Sequence, residues 1–314
     1  FRRSWETYVS SSVLVARFCL PPKFFRKNMN QLYQTLRDAL LPLHGAGEAK
    51  AIALLVLEEG FGVSRTDVYA DKVRTFSEDE RLRFERMLRR LVSGEPVQHV
   101  LGTAHFCGHA FRVSPAVLIP RPETEELVEL AARALEHMSL ESRSPLRVLD
   151  AGTGSGCVAC SLKLRFPAAD VTAWDVSDEA LAVARENAKA LHADVRFLHR
   201  DMLQPYGEGD ETFDVVLSNP PYICLHERKD MESVVTDHEP SLALFVPDDN
   251  PLLFHRALAD FCVEGGLRPG GMLATEINSA LGIVTVACLE EAGLHGVTLL
   301  QDCFGKDRFV TARR

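Results

Sequence analysis

The stretch Leu146-Arg147-Val148-Leu149-Asp150-Ala151-Gly152-Thr153-Gly154-Ser155-Gly156 decides the fold. It opens as an apolar β-prone run that ends on an acid, turns through three glycines, and leads into an apolar helix from Cys157 to Leu164. The glycines permit a tight turn and close approach of a ligand to the backbone, and the following helix presents free N–H groups. Further strands are expected at Asp170–Asp175, Val195–His199, Phe213–Ser218, Gly271–Ile277, Gly296–Leu300 and Arg308–Ala312. Helical segments separate all but the last two. That alternation predicts an α/β domain over 121–314: a seven-stranded, mostly parallel, Rossmann-like sheet covered on both faces, closed by an antiparallel C-terminal hairpin.

Upstream, the pattern from Met29 is helical, and residues 29–94 read as a small N-terminal helical domain. Leu32, Leu36, Ala39 and Leu40 share one stripe, and Ile52, Leu55 and Val56 open another. Ser77 with Glu80 forms a capping box before Phe84, Met87, Leu88 and Leu91, and Gly94 ends that helix. Its other face, with Arg81, Arg83, Arg86, Arg89 and Arg90, reads as solvated. Residues 95–120 read as a β-hairpin linker, with strands at Val97–Leu101 and Phe111–Val117 and turn material at Gly102 and Gly108. Residues 1–28 carry Arg2, Arg3, Arg17, Lys23, Arg26 and Lys27 against Glu6 alone. They read as a disordered leader or an upstream extension before a start at Met29, a transit peptide being the alternative.

The 314 residues suit about two domains. With 46% hydrophobic and 25% charged residues, the composition excludes a disordered or low-complexity chain. A net charge of −9 disfavours a bare polyanion as partner, so no direct nucleic-acid substrate is expected. No apolar run approaches the ~18 residues of a membrane span, so no membrane partner is expected either. Eight cysteines scattered over this length predict free thiols in a cytoplasmic setting, or in an organelle matrix if the leader is a transit peptide. The pair Cys157 and Cys160 stands where a helix needs small residues for packing, and no second pair at zinc spacing accompanies it.

In the dinucleotide fingerprint G-x-G-x-x-G the third glycine stands three residues after the second; here that position is Cys157, and the third glycine arrives one residue early. A pyrophosphate cradle is thereby disfavoured. Asp175, at the end of the second strand, can accept hydrogen bonds from both hydroxyls of a ribose, which points to a nucleoside ligand without choosing which. The acid-x-G-x-G-x-G run from Asp150 resembles the first motif of class I S-adenosylmethionine-dependent methyltransferases. That resemblance implies a cofactor site formed by Asp150, Gly152, Thr153, Gly154, Ser155, Gly156 and Asp175, with Asp201 and Met202 beside the adenine.

The fourth strand ends in Asn219-Pro220-Pro221-Tyr222. Consecutive prolines remove two backbone donors, so this loop presents acceptors. The Asn219 side-chain oxygen and the Pro220 carbonyl can each accept one N–H of a planar NH₂ group, with the Tyr222 ring stacked on its plane. Held so, a nitrogen is aligned for in-line attack on a sulfonium methyl. The tetrad resembles that of methyltransferases acting on planar nitrogens: adenine, guanine or glutamine side chains.

Gly94-Glu95-Pro96-Val97-Gln98-His99-Val100-Leu101-Gly102, then Phe106 with Phe111-Arg112-Val113, then Ile119-Pro120-Arg121-Pro122-Glu123-Thr124-Glu125, narrow the choice. With Glu239-Pro240 and Ala243-Leu244 after the tetrad, they resemble the peptide chain release factor N5-glutamine methyltransferases from about Met29 to the end. The resemblance implies catalytic residues Asn219, Pro220, Pro221 and Tyr222, and cofactor contacts that add Arg121, Thr124 and Asn219. It also implies S-adenosylmethionine as methyl donor, S-adenosylhomocysteine as product, the glutamine of a Gly-Gly-Gln loop as acceptor, and a helical domain that helps dock the factor. A ribosomal-protein glutamine or nucleic-acid amino methyltransferase, an adaptor without chemistry and a nicotinamide oxidoreductase are the competing readings.

Overall fold

The computed structural model describes every residue except 1–25, 142 and 143. Most of the basic leader therefore lies outside the described residues. The chain divides into two compact units, one ending at Leu101 and the other beginning at Gly102, a boundary inside the stretch read as a linker.

In the first unit, strand β1 (Arg26–Asn28) precedes helices α1 (Met29–Leu40), α2 (Ala46–Phe61) and α3 (Arg65–Tyr69). Strand β2 (Val73–Thr75) pairs antiparallel with β1, a short ribbon that the helical periodicity did not announce. Helix α4 (Glu78–Val92) starts at the expected capping box: Ser77 accepts from Glu80 N, and Glu80 accepts from Ser77 N. The stripes of α1, α2 and α4 close on Leu36, Leu57, Phe84 and Leu88, with Phe61 stacked on Phe76 at 5.0 Å between centroids. The arginine face is only partly solvated. Arg81 pairs with Glu78 and Glu85, while Arg90 holds Glu95 and the carbonyls of His99 and Val100. Val97–Leu101 is not a strand but helix α5, begun by Pro96, whose missing N–H costs nothing in a first turn.

The second unit begins with a hairpin of β3 (Thr103–Phe106) and β4 (His109–Arg112), turning at Cys107-Gly108; β3 follows the first strand expected from sequence, and β4 starts earlier than the second and shares only Phe111 and Arg112 with it. Helix α6 (Pro122–Glu141) leads into alternating β5 (Arg147–Ala151), α7 (Cys157–Arg165), β6 (Asp170–Asp175), α8 (Asp178–Leu191), β7 (Val195–His199) and β8 (Phe213–Ser218). After β8 come β9 (Ile223–Cys224), α9 (Ser233–His238), α10 (Ser241–Leu244) and β10 (Phe245–Val246), with β9 and β10 paired in parallel. The unit ends with α11 (Leu253–Phe261), β11 (Leu267–Glu276), α12 (Gly282–Glu291), β12 (His295–Gln301) and β13 (Asp307–Arg313). The seven-stranded sheet has the order β12-β13-β11-β8-β5-β6-β7. Strand β13 is antiparallel to both neighbours, and β12 takes the edge.

Alternation in β5 shows how both faces are filled. Val148 joins a core with Leu127 and Leu135 of α6 and Val158 of α7, whereas Leu149 joins one with Leu258 of α11 and Leu289 of α12. Strand β11 starts earlier than expected and shifts register between Leu267 and Met272. A Cβ at Gly271 would meet the backbone oxygen of Asp214 at 2.9 Å, so only glycine fits that crossing. Cys157 and Cys160 are buried in the sheet–helix core, and burial pushes the Cys160 thiol up to about 12, as packing residues should be. No helix among the described residues is long and apolar enough to cross a membrane.

Gly156 joins fold to site. It has φ +79°, and a Cβ there would stand 3.0 Å from Ala184 Cβ of α8. Gly156→Ala is expected to lose roughly 2 kcal/mol through left-handed strain and overpacking. Denaturant unfolding checks this; a midpoint equal to that of the parent would contradict it.

Candidate active site

One register row crosses the sheet near its carboxyl edge: Trp174 on β6 faces Ala151 on β5, Ala151 faces Ser218 on β8, and Ser218 faces Thr275 on β11. The next residue along each strand is Asp175, Gly152, Asn219 and Glu276. Ligands of open parallel sheets bind beyond such carboxyl ends. A cavity of about 240 Å³ lies there. Of the residues singled out from sequence, Asp150, Gly152, Thr153, Gly154, Ser155, Asp175, Asp201, Met202, Asn219, Pro221, Arg121 and Thr124 line it. Gly156, Pro220 and Tyr222 do not.

The glycine loop is pinned from β6. Gly152 and Thr153 donate to Trp174 O at 2.9 and 2.8 Å, and Gly154 N donates to Asp175 Oδ2 at 2.8 Å. Asp175 Oδ1 accepts from Ser177 N at 2.9 Å, so each carboxylate oxygen holds the backbone once and keeps a lone pair. Gly152 has φ +78°, and a Cβ there would come within 3.2 Å of Met202 Cε, so the missing side chain lets that methionine reach the loop. Asp201 accepts from Leu203 N at 2.9 Å, which fixes its carboxylate at the cavity wall. Beside it the Arg200 guanidinium stacks 4.4 Å from the Trp174 ring centroid while paired with Asp210.

The Ile119–Glu126 segment ties this wall to remote elements. Glu239, after α9, accepts from Ile119 N and pairs with Arg121. Glu125 accepts from Cys107 N of the β3–β4 turn, and Glu126 from Cys303 N of the β12–β13 turn. Thr124 does not cap α6 with its hydroxyl; it donates to Glu276 Oε2 at 2.9 Å and accepts from Asn219 Nδ2 at 3.1 Å. The Tyr222 hydroxyl donates to Glu276 Oε1 at 2.8 Å. Glu276 escaped the sequence reading. Its signal was an acid in an otherwise apolar strand, Met272-Leu273-Ala274-Thr275-Glu276-Ile277.

The third glycine of the loop packs closely on α8, and the two prolines leave the turn after β8 with carbonyl acceptors and without their own N–H donors. Fold and site therefore define a Rossmann-like methyltransferase. The Methyltransferase small domain family matches residues 127–238, and the PrmC N-terminal domain family residues 34–102. A release factor glutamine methyltransferase of Bacteroides thetaiotaomicron is 43% identical over 286 residues, 91% of this chain and 100% of its own length. One of Bacillus subtilis is 35% identical over 285 residues, 90% of this chain and 98% of its own. The chain belongs to the release factor glutamine methyltransferase family. A solved protein-(glutamine-N5) methyltransferase (release factor-specific) from Alicyclobacillus acidocaldarius is 28% identical, with a TM-score of 0.40, covering 65% of this chain and 99% of that one.

Asp150 carries a pH signature. Burial raises its carboxyl from 3.8 to about 6, against the pull of the Thr153 hydroxyl and Ala159 N–H. The folded state then holds the proton more tightly than the unfolded chain, so the contribution of Asp150 to stability falls as pH rises from about 4 to 6 and is flat above. The size is on the order of 3 kcal/mol. Asp150→Asn removes that slope, so its stability relative to the parent improves between pH 4 and pH 7. Urea unfolding of both proteins at the two pH values tests this, and an unchanged difference would contradict it.

Proposed function

We propose that this protein transfers a methyl group from S-adenosylmethionine to the side-chain amide nitrogen of a glutamine in a peptide chain release factor, the glutamine of its Gly-Gly-Gln loop. The observation that carries the reading is the acceptor turn Asn219-Pro220-Pro221-Tyr222 standing at the carboxyl end of β8, with Asn219 and Pro221 on the wall of the same cavity as the glycine loop. The cavity wall suits the cofactor. Glycine backbone with no Cβ allows close approach, the lone pairs of Asp175 suit ribose hydroxyls, and Asp201 with Met202 offers one carboxylate and one apolar face for an adenine. Arg121 and Thr124 complete the proposed contacts. When bound, S-adenosylmethionine supplies an activated methyl on a sulfonium.

The protein's own part is orientation. Asn219 Oδ1 and the Pro220 carbonyl accept the two N–H groups of the glutamine amide, and Tyr222 flanks its plane. Engaging both hydrogens draws electron density toward nitrogen and aims it along one line. Asp150, Gly152, Thr153, Gly154, Ser155 and Asp175 would hold the donor across the cavity, with Gly156 seating the loop against α8. No base need act before transfer, because nitrogen sheds a proton once it has become cationic. We assign the helical unit to docking of the factor, as the family resemblance implies.

Asn219→Ala is expected to keep cofactor affinity and lose turnover by roughly 100-fold or more, because one acceptor is gone. Turnover on purified release factor, with the methyl located by peptide mass spectrometry, checks this; near-parental turnover refutes the role. Asp175→Ala should instead weaken cofactor binding, read by calorimetry. An unchanged dissociation constant would remove Asp175 from the site.

A further inference from the structure

Glu276 ends β11 with only 2% of its surface exposed, and its two carboxylate oxygens are used by two different partners. Oε1 accepts from the Tyr222 hydroxyl at 2.8 Å and Oε2 from the Thr124 hydroxyl at 2.9 Å. Its backbone is fixed too. His255 Nε2 of α11 lies 3.0 Å from the Glu276 carbonyl oxygen, and burial holds that imidazole neutral, so the ring N–H donates. Burial pushes the Glu276 carboxyl up, while both hydroxyl donors and the Arg308 guanidinium pull it back. The same burial raises the Tyr222 hydroxyl, which keeps its proton and stays a donor.

A threonine hydroxyl has one proton. With the Tyr222 proton on Oε1 and the Thr124 proton on Oε2, Glu276 is placed as an acceptor at both oxygens, so Thr124 spends its proton there and can only accept from its other neighbour. The group of Asn219 that faces Thr124 must then be the amino group, as the 3.1 Å contact from Nδ2 has it. A reversed amide would set two acceptors against each other. We infer that Glu276 is a positioning residue that acts through Thr124 to fix the sense of the Asn219 amide, leaving Oδ1 to accept from the substrate NH₂. Its part in turnover rests on the function proposed above; the sense of the Asn219 amide does not.

Glu276→Gln keeps the shape but brings an NH₂ group into a chain that has places only for an acceptor. With that group toward Thr124, the hydroxyl proton turns to Asn219 and the amide loses its fixed sense. Turnover at saturating cofactor should fall roughly 100-fold while cofactor affinity is kept. Because the effect runs through Thr124, Glu276→Gln/Thr124→Val should turn over within about threefold of Thr124→Val alone. Thr124→Ser, which retains the hydroxyl, should restore activity. A second readout needs no turnover: in the free protein, the Asn219 side-chain NH₂ protons should show an NMR cross-relaxation peak to the Thr124 methyl, lost in Glu276→Gln. Parental turnover of Glu276→Gln, or losses that multiply in the double variant, overturns the relay. So does a peak that is absent from the parent. Should Glu276→Gln not fold, parental turnover of Thr124→Val overturns it equally. A parent that shows the peak but methylates no glutamine refutes the proposed function and leaves the relay standing.

Discussion

Parallel direction is the constraint on which the rest depends. Strands β5, β6, β8 and β11 all run the same way, and their register sets Trp174, Ala151, Ser218 and Thr275 in one row. Just past that row Gly152 and Asn219 leave the ladder, while Asp175 and Glu276 keep a strand partner on their outer side in His199 and Phe309, so the final position of each strand becomes a place for chemistry. Sheet burial makes this edge rigid: Leu149, Val216 and Leu273 pack on one face, and Val148, Val215 and Ala274 on the other. A one-residue slip in any strand would exchange its two faces and withdraw its terminal side chain from the cavity. The apolar core thus sets the position of Asp175, Asn219 and Glu276 as firmly as their own hydrogen bonds do.

The second constraint is the Ile119–Glu126 segment, which runs into the first turn of α6. Prolines at 120 and 122 hold it extended, and four of its residues are spent on distant partners: Ile119 and Arg121 on Glu239, Thr124 on Glu276, and Glu125 on Cys107. These are buried or half-buried charge-assisted bonds, and removing one partner would strand the other away from water. The segment gains its place in the cavity wall from that network rather than from helix propensity. Its sequence motif is therefore a record of tertiary contacts, which explains why it is informative about family and says little about local structure.

Much of the fold was legible because periodicity and glycine chemistry are local. Asp170–Asp175, Val195–His199 and Phe213–Ser218 stand where their apolar runs put them, and the capping box at Ser77 and Glu80 forms as spacing demands. Val97–Leu101 reads as a strand by its β-branched ends yet folds as a helix, because Pro96 opens a turn and the Val100 N–H finds the Pro96 carbonyl. Strand β11 begins before Gly271 because a bulge, invisible to alternation, lies between Leu267 and Met272. At the site, the glycine loop and Asp175 were readable since they are contiguous or end a clear strand. The link from Glu276 to Tyr222 and Thr124 was not. It joins residues 54 and 152 positions apart, and no local pattern encodes such a contact.

On the proposed reading, selectivity at the lip follows from counting donors. Asn219 Oδ1 and the Pro220 carbonyl offer acceptors only, with neither proline contributing an N–H. A glutamine amide brings two donors to two acceptors. A glutamate carboxylate would bring none and face both oxygens with its own charge, losing both bonds and gaining repulsion. The Asn219 side chain can play this part only with its oxygen turned to the cavity, and an asparagine left to itself is nearly indifferent to which end is which. A buried carboxylate that accepts from two hydroxyls, one at each oxygen, removes that indifference at a distance, through Thr124. The cost of burying Glu276 is thereby tied to the sense of one amide, and a protein that needed only a stable strand end would have been better served by an apolar side chain there.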